Sequence, residues 1–343
     1  MAEERVSTPS SSSDPTILAA HVRPFEIQRT PRDLTRVLRA VADECGMTES
    51  DAHAVTMTAE LSQMFRRKRD GVGFVLDAIE AAFPARDVAI YTTAGAFLTP
   101  LAARGQPLAV AAANWAATAR LVAQRFPTTV LIDIGTTTTD VIPIADGVVR
   151  AQGWTDPDRL VADELLYLGA VRTPVEAIAH AVPLRSGMAG VSAEGFALAG
   201  DVHVWRRSLE VDAYTAPTPD GRGVSREFVA DRLARVVCGD RDLLDDAALD
   251  DIADAVADAQ VRRTADAVAR VCARHPSIGT AVVTGVGAFI ATAAAIRTGL
   301  VVKRFADVWG DEIANAAPAA AVALLRGQDL ASQRATMTSG LPA

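Results

Sequence analysis

Residues 129–153 read TVLIDIGTTTTDVIPIADGVVRAQG, and the fold turns on how that stretch is read. An apolar run, Val130-Leu131-Ile132, reaches Asp133, then Ile134 and Gly135. Four threonines follow (Thr136 to Thr139), then Asp140 and a second apolar run. Asp146-Gly147 between two β-branched runs is a strong hairpin signal. The spacing predicts a three-stranded meander whose first turn carries Asp-x-Gly-Thr-Thr-Thr-Thr-Asp. Such a turn has the chemistry of a phosphate cradle. Gly135 lets backbone amides approach an anion, threonine hydroxyls add donors, and carboxylates at both ends can hold a divalent cation. The competing reading is a plain threonine-rich hairpin, because threonine favours strands. That reading leaves unexplained two acids beside a buried run, where an unpaired charge is costly.

The chain has 343 residues, enough for two domains, and half of them are hydrophobic. Mean hydropathy is +0.18. No apolar run reaches the ~18 residues that span a bilayer, and residues 1–15 lack the pattern of a secretory signal. Cys45, Cys238 and Cys272 are far apart and without metal-ligand spacing, so they are expected to be small buried apolar residues in a reducing cytoplasm. A net charge of −8 argues against a nucleic-acid surface.

Residues 1–16 read as a disordered Ser/Pro-rich tail. Thr30-Pro31 reads as a helix start with Thr30 as cap, Leu34, Val37, Leu38 and Val41 as the apolar face, and Gly46 as stop. Thr56–Gly73 reads as a strand running into Glu60, then a helix-like turn and the basic cluster Arg66-Arg67-Lys68-Arg69. A solvated loop is the ordinary reading of such a cluster; binding of an anionic substrate is the alternative. Val88–Thr92 reads as a strand and Ala111–Ala123 as a helix, with Trp115 in the core and Asn114 open to either role. Pro157–Tyr167 looks helical, and residues 180–224 read as an insertion in which His203 is a satisfied strand residue rather than a ligand. Ser225 caps a helix. The acidic run Asp240–Asp251 precedes a long helix that ends before His275-Pro276. Ala281–Ile290 reads as strand, glycine turn and helix; Gly285 and Gly287 alone are a weak nucleotide signal, since helix–strand packing also wants glycine there. Val301-Val302 gives a last strand, Ala314–Leu325 a closing helix, and 327–343 a tail. The whole is an α/β protein.

Asp133-Ile-Gly-Thr-Thr-Thr-Thr-Asp140 resembles the second phosphate motif of the actin/Hsp70/sugar-kinase superfamily, and Val283-Thr-Gly-Val-Gly-Ala-Phe289 resembles its adenosine-side glycine motif. Within it the chain is most similar to the hydantoinase A/oxoprolinase-like group. The nearest branch is that of tetrahydromethanopterin-linked C1-transfer proteins, which includes the methanofuran-biosynthesis aryl-ether synthase. The narrower match rests on Met57-Thr-Ala-Glu-Leu61, Phe65, Gly71-Val72, Ala113–Ala119, Thr155-Asp156, Arg159-Leu160, Glu164–Gly169, Val171–Pro174, Glu194 and Asp201-Val202.

The resemblance implies a two-lobed actin-like ATPase (ribonuclease H-like) fold with an interlobe cleft, with lobes over residues 17–128 and 129–326. It implies a transferase that joins a furanylmethyl diphosphate to a tyramine-type phenol and releases pyrophosphate, with Mg²⁺ as cofactor. In that scheme Gly135, Thr136, Thr137, Thr138, Thr139, Gly285 and Gly287 hold the diphosphate. Asp133 and Asp140, with Asp201 third, hold the metal. Glu60, and next Glu164, accepts the phenol proton, with Asp140 a further catalytic candidate, and Asn114, Arg172 and Glu194 contact substrate. The alternatives are an ATP-dependent hydrolase of cyclic amides and an inactive homologue that binds nucleotide or a partner. Neither a nucleic acid nor a membrane is expected as partner. The superfamily's first phosphate strand, Asp-Ile-Gly-Gly, has no counterpart in the residues before Glu60, so the first lobe is expected to be incomplete. Ala59 also stands where the group has glycine.

Overall fold

The computed structural model describes residues 16–48, 51–84 and 87–339. The tail of residues 1–15 therefore lies outside the described residues. The architecture is mixed α/β, and the chain divides into two compact units. The first comprises Ile27–Ala117 with the described parts of Met1–Val22 and Pro318–Ala343; the second comprises Arg23–Glu26 and Thr118–Ala317.

In the first unit, a 3₁₀ turn at Pro31–Asp33 leads into α1 (Leu34–Glu44), and Gly46 at φ +69° closes it as its left-handed stop requires. Thr30 makes no side-chain cap; its backbone carbonyl accepts from Asp33 N at 3.0 Å instead. β1 (His53–Val55) ends well before Glu60, which sits buried in a 3₁₀ turn, Ala59–Leu61. This differs from the strand expected to run up to Glu60. The turn packs on α2 (Lys68–Ala82) at Gly71, where a Cβ would lie 2.5 Å from the Glu60 carbonyl oxygen. The basic cluster straddles the start of α2 rather than forming a free loop, and Arg67 pairs with Asp70 one turn on. β2 (Val88–Tyr91) runs parallel to β1, and β3 (Phe97–Leu98) runs antiparallel to β2. α3 (Pro100–Gly105), α4 (Pro107–Val110) and α5 (Asn114–Arg125) follow. α5 starts later than its apolar pattern suggests because Ala111 is extended and Ala112 takes φ +50°. Leu76, Ile79, Ile90 and Val110 centre this unit's core.

The second unit opens with the expected meander: β4 (Thr129–Ile134), β5 (Thr139–Ala145) and β6 (Val148–Val149), each antiparallel to the one before. Asp146 and Gly147 both take positive φ, 55° and 72°, which the right-handed strand twist favours in a two-residue turn. α6 (Asp156–Val161) stops early, and β7 (Leu165–Leu166) pairs with β5, so the helix expected through Tyr167 is half helix, half strand. β8 (Ala181–Leu184) and β9 (Gly187–Gly190) form a hairpin, and α7 (Ala199–Trp205) follows. The stretch read as an insertion thus contributes core: Ala199, Val202 and Trp205 share one cluster with α8 (Arg226–Arg235) and α9 (Asp246–Ala273). Ser225 and Asp245 cap those two helices with their side chains. β10 (Thr280–Thr284), α10 (Ala288–Arg297), β11 (Val301–Arg304), α11 (Ala306–Trp309) and α12 (Asp311–Asn315) complete the unit. α13 (Ala317–Ser339) returns to the first unit and stays helical past Gln328.

The main sheet has the order β11-β10-β4-β5-β6, with β10 and β11 parallel to β4. Every residue of β4 except Asp133 is buried, which explains why its sequence is apolar without alternation. Val130, Ile132 and Ile134 pack with Val268 and Val271 of α9 and Ile290 of α10. Among the described residues no helix is long and apolar enough to cross a membrane. The three cysteines are free, and Cys238 is exposed rather than buried as expected.

Candidate functional site

Asp133 and Asp140 face each other across β4 and β5, and Gly135–Thr138 is the turn between them. Gly135 N donates to Thr138 O at 2.9 Å, closing the turn. The amides of Thr136, Thr137 and Thr138 take no backbone acceptor among the described residues. The Thr136 carbonyl, by contrast, accepts from both Val171 N (3.1 Å) and Arg172 N (2.8 Å). The Thr136 carbonyl is thus committed to the elbow, while the three amides have no backbone acceptor among the described residues, an arrangement compatible with an anion cradle.

The turn is held by the elbow 168–173. Thr139 Oγ1 donates to Leu168 O at 2.6 Å, Ala170 N to Gly135 O at 2.9 Å, and Thr173 Oγ1 accepts from Gly169 N at 2.8 Å. Gln260 on α9 donates to Gly169 O at 2.9 Å and bonds His203 at 2.8 Å. His203 is a buried helix residue rather than a strand residue or a ligand, and burial lowers its pKa to about 4, so it is neutral. Gly169 is required by contact: a Cβ there would lie 2.4 Å from Thr137 N and 2.5 Å from the Thr136 carbonyl carbon. Gly169→Ala is expected to force the turn and elbow apart and to cost at least ~2 kcal/mol, in the range of overpacked cores. A thermal melt level with wild type would show that the turn yields freely.

Gly285 and Gly287 meet the same strand end. A Cβ on Gly285, which takes φ +86°, would sit 2.5 Å from Asp133 Oδ1; one on Gly287 would sit 2.4 Å from Ile134 Cγ2. Gly287 N also donates to Ile134 O at 2.8 Å. Both glycines are therefore used for close packing of the β10 turn on β4, and the structure brings them beside Asp133.

The electrostatics separate the two aspartates. Burial, helped by the Asp140 charge, raises Asp133 to about 7. Burial also raises Asp140, but Arg159 opposes it: Arg159 is 2% exposed and bonds Asp140 Oδ1 at 2.5 Å. Asp140 is thus committed to an internal ion pair and is not a free base. Glu164 is likewise committed. Wholly buried, it accepts from the amides of Gln152 (2.8 Å) and Gly153 (2.9 Å) and meets Arg274 at 3.5 Å. Glu164 therefore braces the loop after β6. Asp201 is wholly buried against Arg232 at 2.7 Å, so it braces α7. Among the described residues no three His, Cys, Asp or Glu side chains are grouped to hold a metal ion. A single carboxylate, Asp133, fits the habit of Mg²⁺ of taking one or two carboxylates plus phosphate oxygens and water.

Arg172 stands beside the turn through its own amide, with an exposed side chain that has no partner among the described residues. Glu194 is exposed on the segment between β9 and α7, outside this hydrogen-bonded frame. Asn114 and Glu60 belong to the first unit. The sequence assigns no role to Arg159, which it names only for the resemblance, or to Gln260; one lies 19 and the other 91 residues from its partner, and no local pattern links them.

A family model for hydantoinase/oxoprolinase matches residues 51–329. The chain belongs to the hydantoinase/oxoprolinase family. It is 34% identical over 281 residues, 82% of this chain and 84% of the relative, to the (4-{4-[2-(gamma-L-glutamylamino)ethyl]phenoxymethyl}furan-2-yl)methanamine synthase of Methanocaldococcus jannaschii. A protein of the same description from Methanococcus vannielii is 37% identical over 111 residues, 32% of this chain and 50% of that one. The match places the chain in the family's synthase branch, and the chain is an enzyme. Among solved structures, component A of (R)-2-hydroxyglutaryl-CoA dehydratase from Acidaminococcus fermentans overlaps slightly, with a TM-score of 0.31 and 13% identity over 63% of this chain and 68% of that one.

Proposed function

We propose that this family member is an aryl-ether-forming transferase of methanofuran-type cofactor assembly. The product named for the relatives contains a phenoxymethyl link to a furan ring. Disconnecting that link gives a phenol and a furanylmethyl carbon bearing a leaving group. A diphosphate is the leaving group that suits this site. The observation that carries the reading is the threonine turn, with three amides facing no backbone acceptor, Asp133 at its base and the free Arg172 at its side.

In the proposed reaction the phenol oxygen bonds to the furanylmethyl carbon as the carbon–oxygen bond to the diphosphate breaks. The electron pair leaves on pyrophosphate. The turn amides, threonine hydroxyls and Arg172 are preorganised donors for the charge that grows there, which is where such donors lower a barrier. Magnesium, when bound at Asp133, adds charge neutralisation on the diphosphate. A free phenol, with a pKa near 10, needs a base or a cation beside it to give up its proton. The order β6-β5-β4-β10-β11, with β5 alone running against the rest, supports reading the second unit as a lobe of the actin/Hsp70/sugar-kinase type. The cytoplasm is the proposed location.

The test is direct. With Mg²⁺, a furanylmethyl diphosphate and a tyramine-type phenol, the protein is expected to release pyrophosphate and form the aryl ether, read by mass spectrometry. ATP-dependent opening of a hydantoin or 5-oxoproline ring, with no ether formed, would replace this reading with the hydrolase chemistry of the wider family.

A further inference from the structure

Thr284 closes β10 in register with Asp133, and Asp133 is in register with Asp140 on the other side. Residues opposite one another on neighbouring strands share a face of the sheet. Thr284, Asp133 and Asp140 therefore form one polar row. It lies on the face opposite Ile132, Val141 and Val283, which pack with α9 and α10. The row also lies at the carboxyl ends of the parallel strands β4 and β10, the edge where ligands of open α/β sheets bind.

Within that row the polar needs are met unequally. Asp140 has Arg159. Thr129, on the same face at the far end of β4, gives its hydroxyl to Thr280 O at 2.9 Å. Thr284 is only 2% exposed, yet its Oγ1 has no hydrogen-bond partner among the described residues. Leaving a buried hydroxyl unsatisfied costs about 1–3 kcal/mol, and valine would fill the same volume without that cost. The next residue, Gly285, has no Cβ, and Asp133 Oδ1 occupies the space a Cβ would take. A donor without an acceptor therefore stands beside the carboxylate at the base of the threonine turn.

We propose that Thr284 is a ligand-binding residue whose hydroxyl donates to a phosphoryl oxygen of the diphosphate held by the turn. This rests on the diphosphate reading above and adds to it a donor from a third strand. It also explains why the strand ends in threonine: the hydroxyl that is unsatisfied without ligand becomes satisfied with it.

Calorimetry with Mg²⁺ and pyrophosphate on the full chain, together with ligand-free thermal melts, tests the assignment on Thr284→Val and Thr284→Ser. Thr284→Val is expected to bind pyrophosphate about tenfold more weakly or worse, as loss of a hydrogen bond to a charged group implies. Without ligand it is expected to melt no lower than wild type. Thr284→Ser, which keeps the hydroxyl, is expected to bind close to wild type. A purely structural threonine would move both readouts together, so a Thr284→Val protein that melts lower without ligand overturns the assignment. Thr284→Val binding as well as wild type, or Thr284→Ser as poor as valine, overturns it too while leaving the diphosphate reading standing. A wild-type protein that binds no pyrophosphate overturns both.

Discussion

Arg232→Met is expected to destabilise the second unit by about 3–5 kcal/mol, the usual cost of removing one partner of a buried ion pair. For a unit of this size that is a fall in melting temperature on the order of 10 °C. Arg232 and Asp201 are both wholly buried, with Nη2 and Oδ1 at 2.7 Å. Arg232 also reaches Asp220 at 3.0 Å and Gly223 O at 3.2 Å. Asp201 in turn caps α7 through Leu198 N at 2.9 Å and takes the Tyr214 hydroxyl at 3.3 Å. Methionine would fill the volume and leave the Asp201 charge without a cation.

The sign with pH follows from Asp201. Burial already raises its pKa, with Arg232 working against the rise, so removing Arg232 raises it further. A carboxyl raised above its unfolded value contributes stability below the unfolded pKa, and that contribution is lost as pH rises through the folded one. The deficit of Arg232→Met is therefore expected to be smaller near pH 4 than at pH 8, and adding Asp201→Asn is expected to recover part of it. Urea unfolding of the four proteins of that cycle measures both. A deficit independent of pH would mean that Asp201 finds another partner. Damage should also reach the site, because Gly200 N bonds Val171 O and Ala199 N bonds Thr173 O, tying α7 to the elbow under the threonine turn.

What could be read in advance was whatever the chain decides locally. The meander, the Asp146-Gly147 turn and the Ser225 cap each depend on a few consecutive residues. So do the strand–glycine–helix unit at 280–297 and the closing strand at Val301. The misreadings share a different origin. Leu165-Leu166 is a strand only because Thr139 and Asp140 lie opposite, and α7 is core only because α8 and α9 cover it. The site divides the same way. That Asp133 and Asp140 flank one tight turn was legible, because acids beside a buried run stand out. The commitments of Asp140, Glu164 and Asp201 were not, since their partners are arginines and amides that only the folded chain brings near. Thr284 stands in the quoted Val283–Phe289 motif, but its unpartnered hydroxyl shows only in the folded chain.

Asp133→Asn is expected to abolish Mg²⁺-dependent diphosphate binding, weakening it at least ~100-fold, while stabilising the ligand-free protein at alkaline pH. The first effect follows because Asp133 is the carboxylate at the base of the turn that has no cation pairing among the described residues, and an amide oxygen carries no charge for a cation. The second follows from its pKa of about 7, set by burial and the Asp140 charge. An unfolded aspartate titrates near 3.9, so between about pH 4 and pH 7 the folded chain holds a proton that the unfolded chain has lost. Stability must then fall as pH rises through that window, by up to about 4 kcal/mol for three units. Asparagine is isosteric and cannot ionise, so the variant should lack this slope and overtake wild type near pH 8. Urea unfolding at pH 5 and pH 8, with calorimetry against Mg²⁺ and pyrophosphate, separates the two claims. Parallel pH profiles would place the Asp133 charge in an ordinary solvated setting, and undiminished binding would remove the turn from the reaction altogether. The combination of a more stable fold with a lost ligand would mark Asp133 as a group kept at a cost to folding, because the site needs its charge.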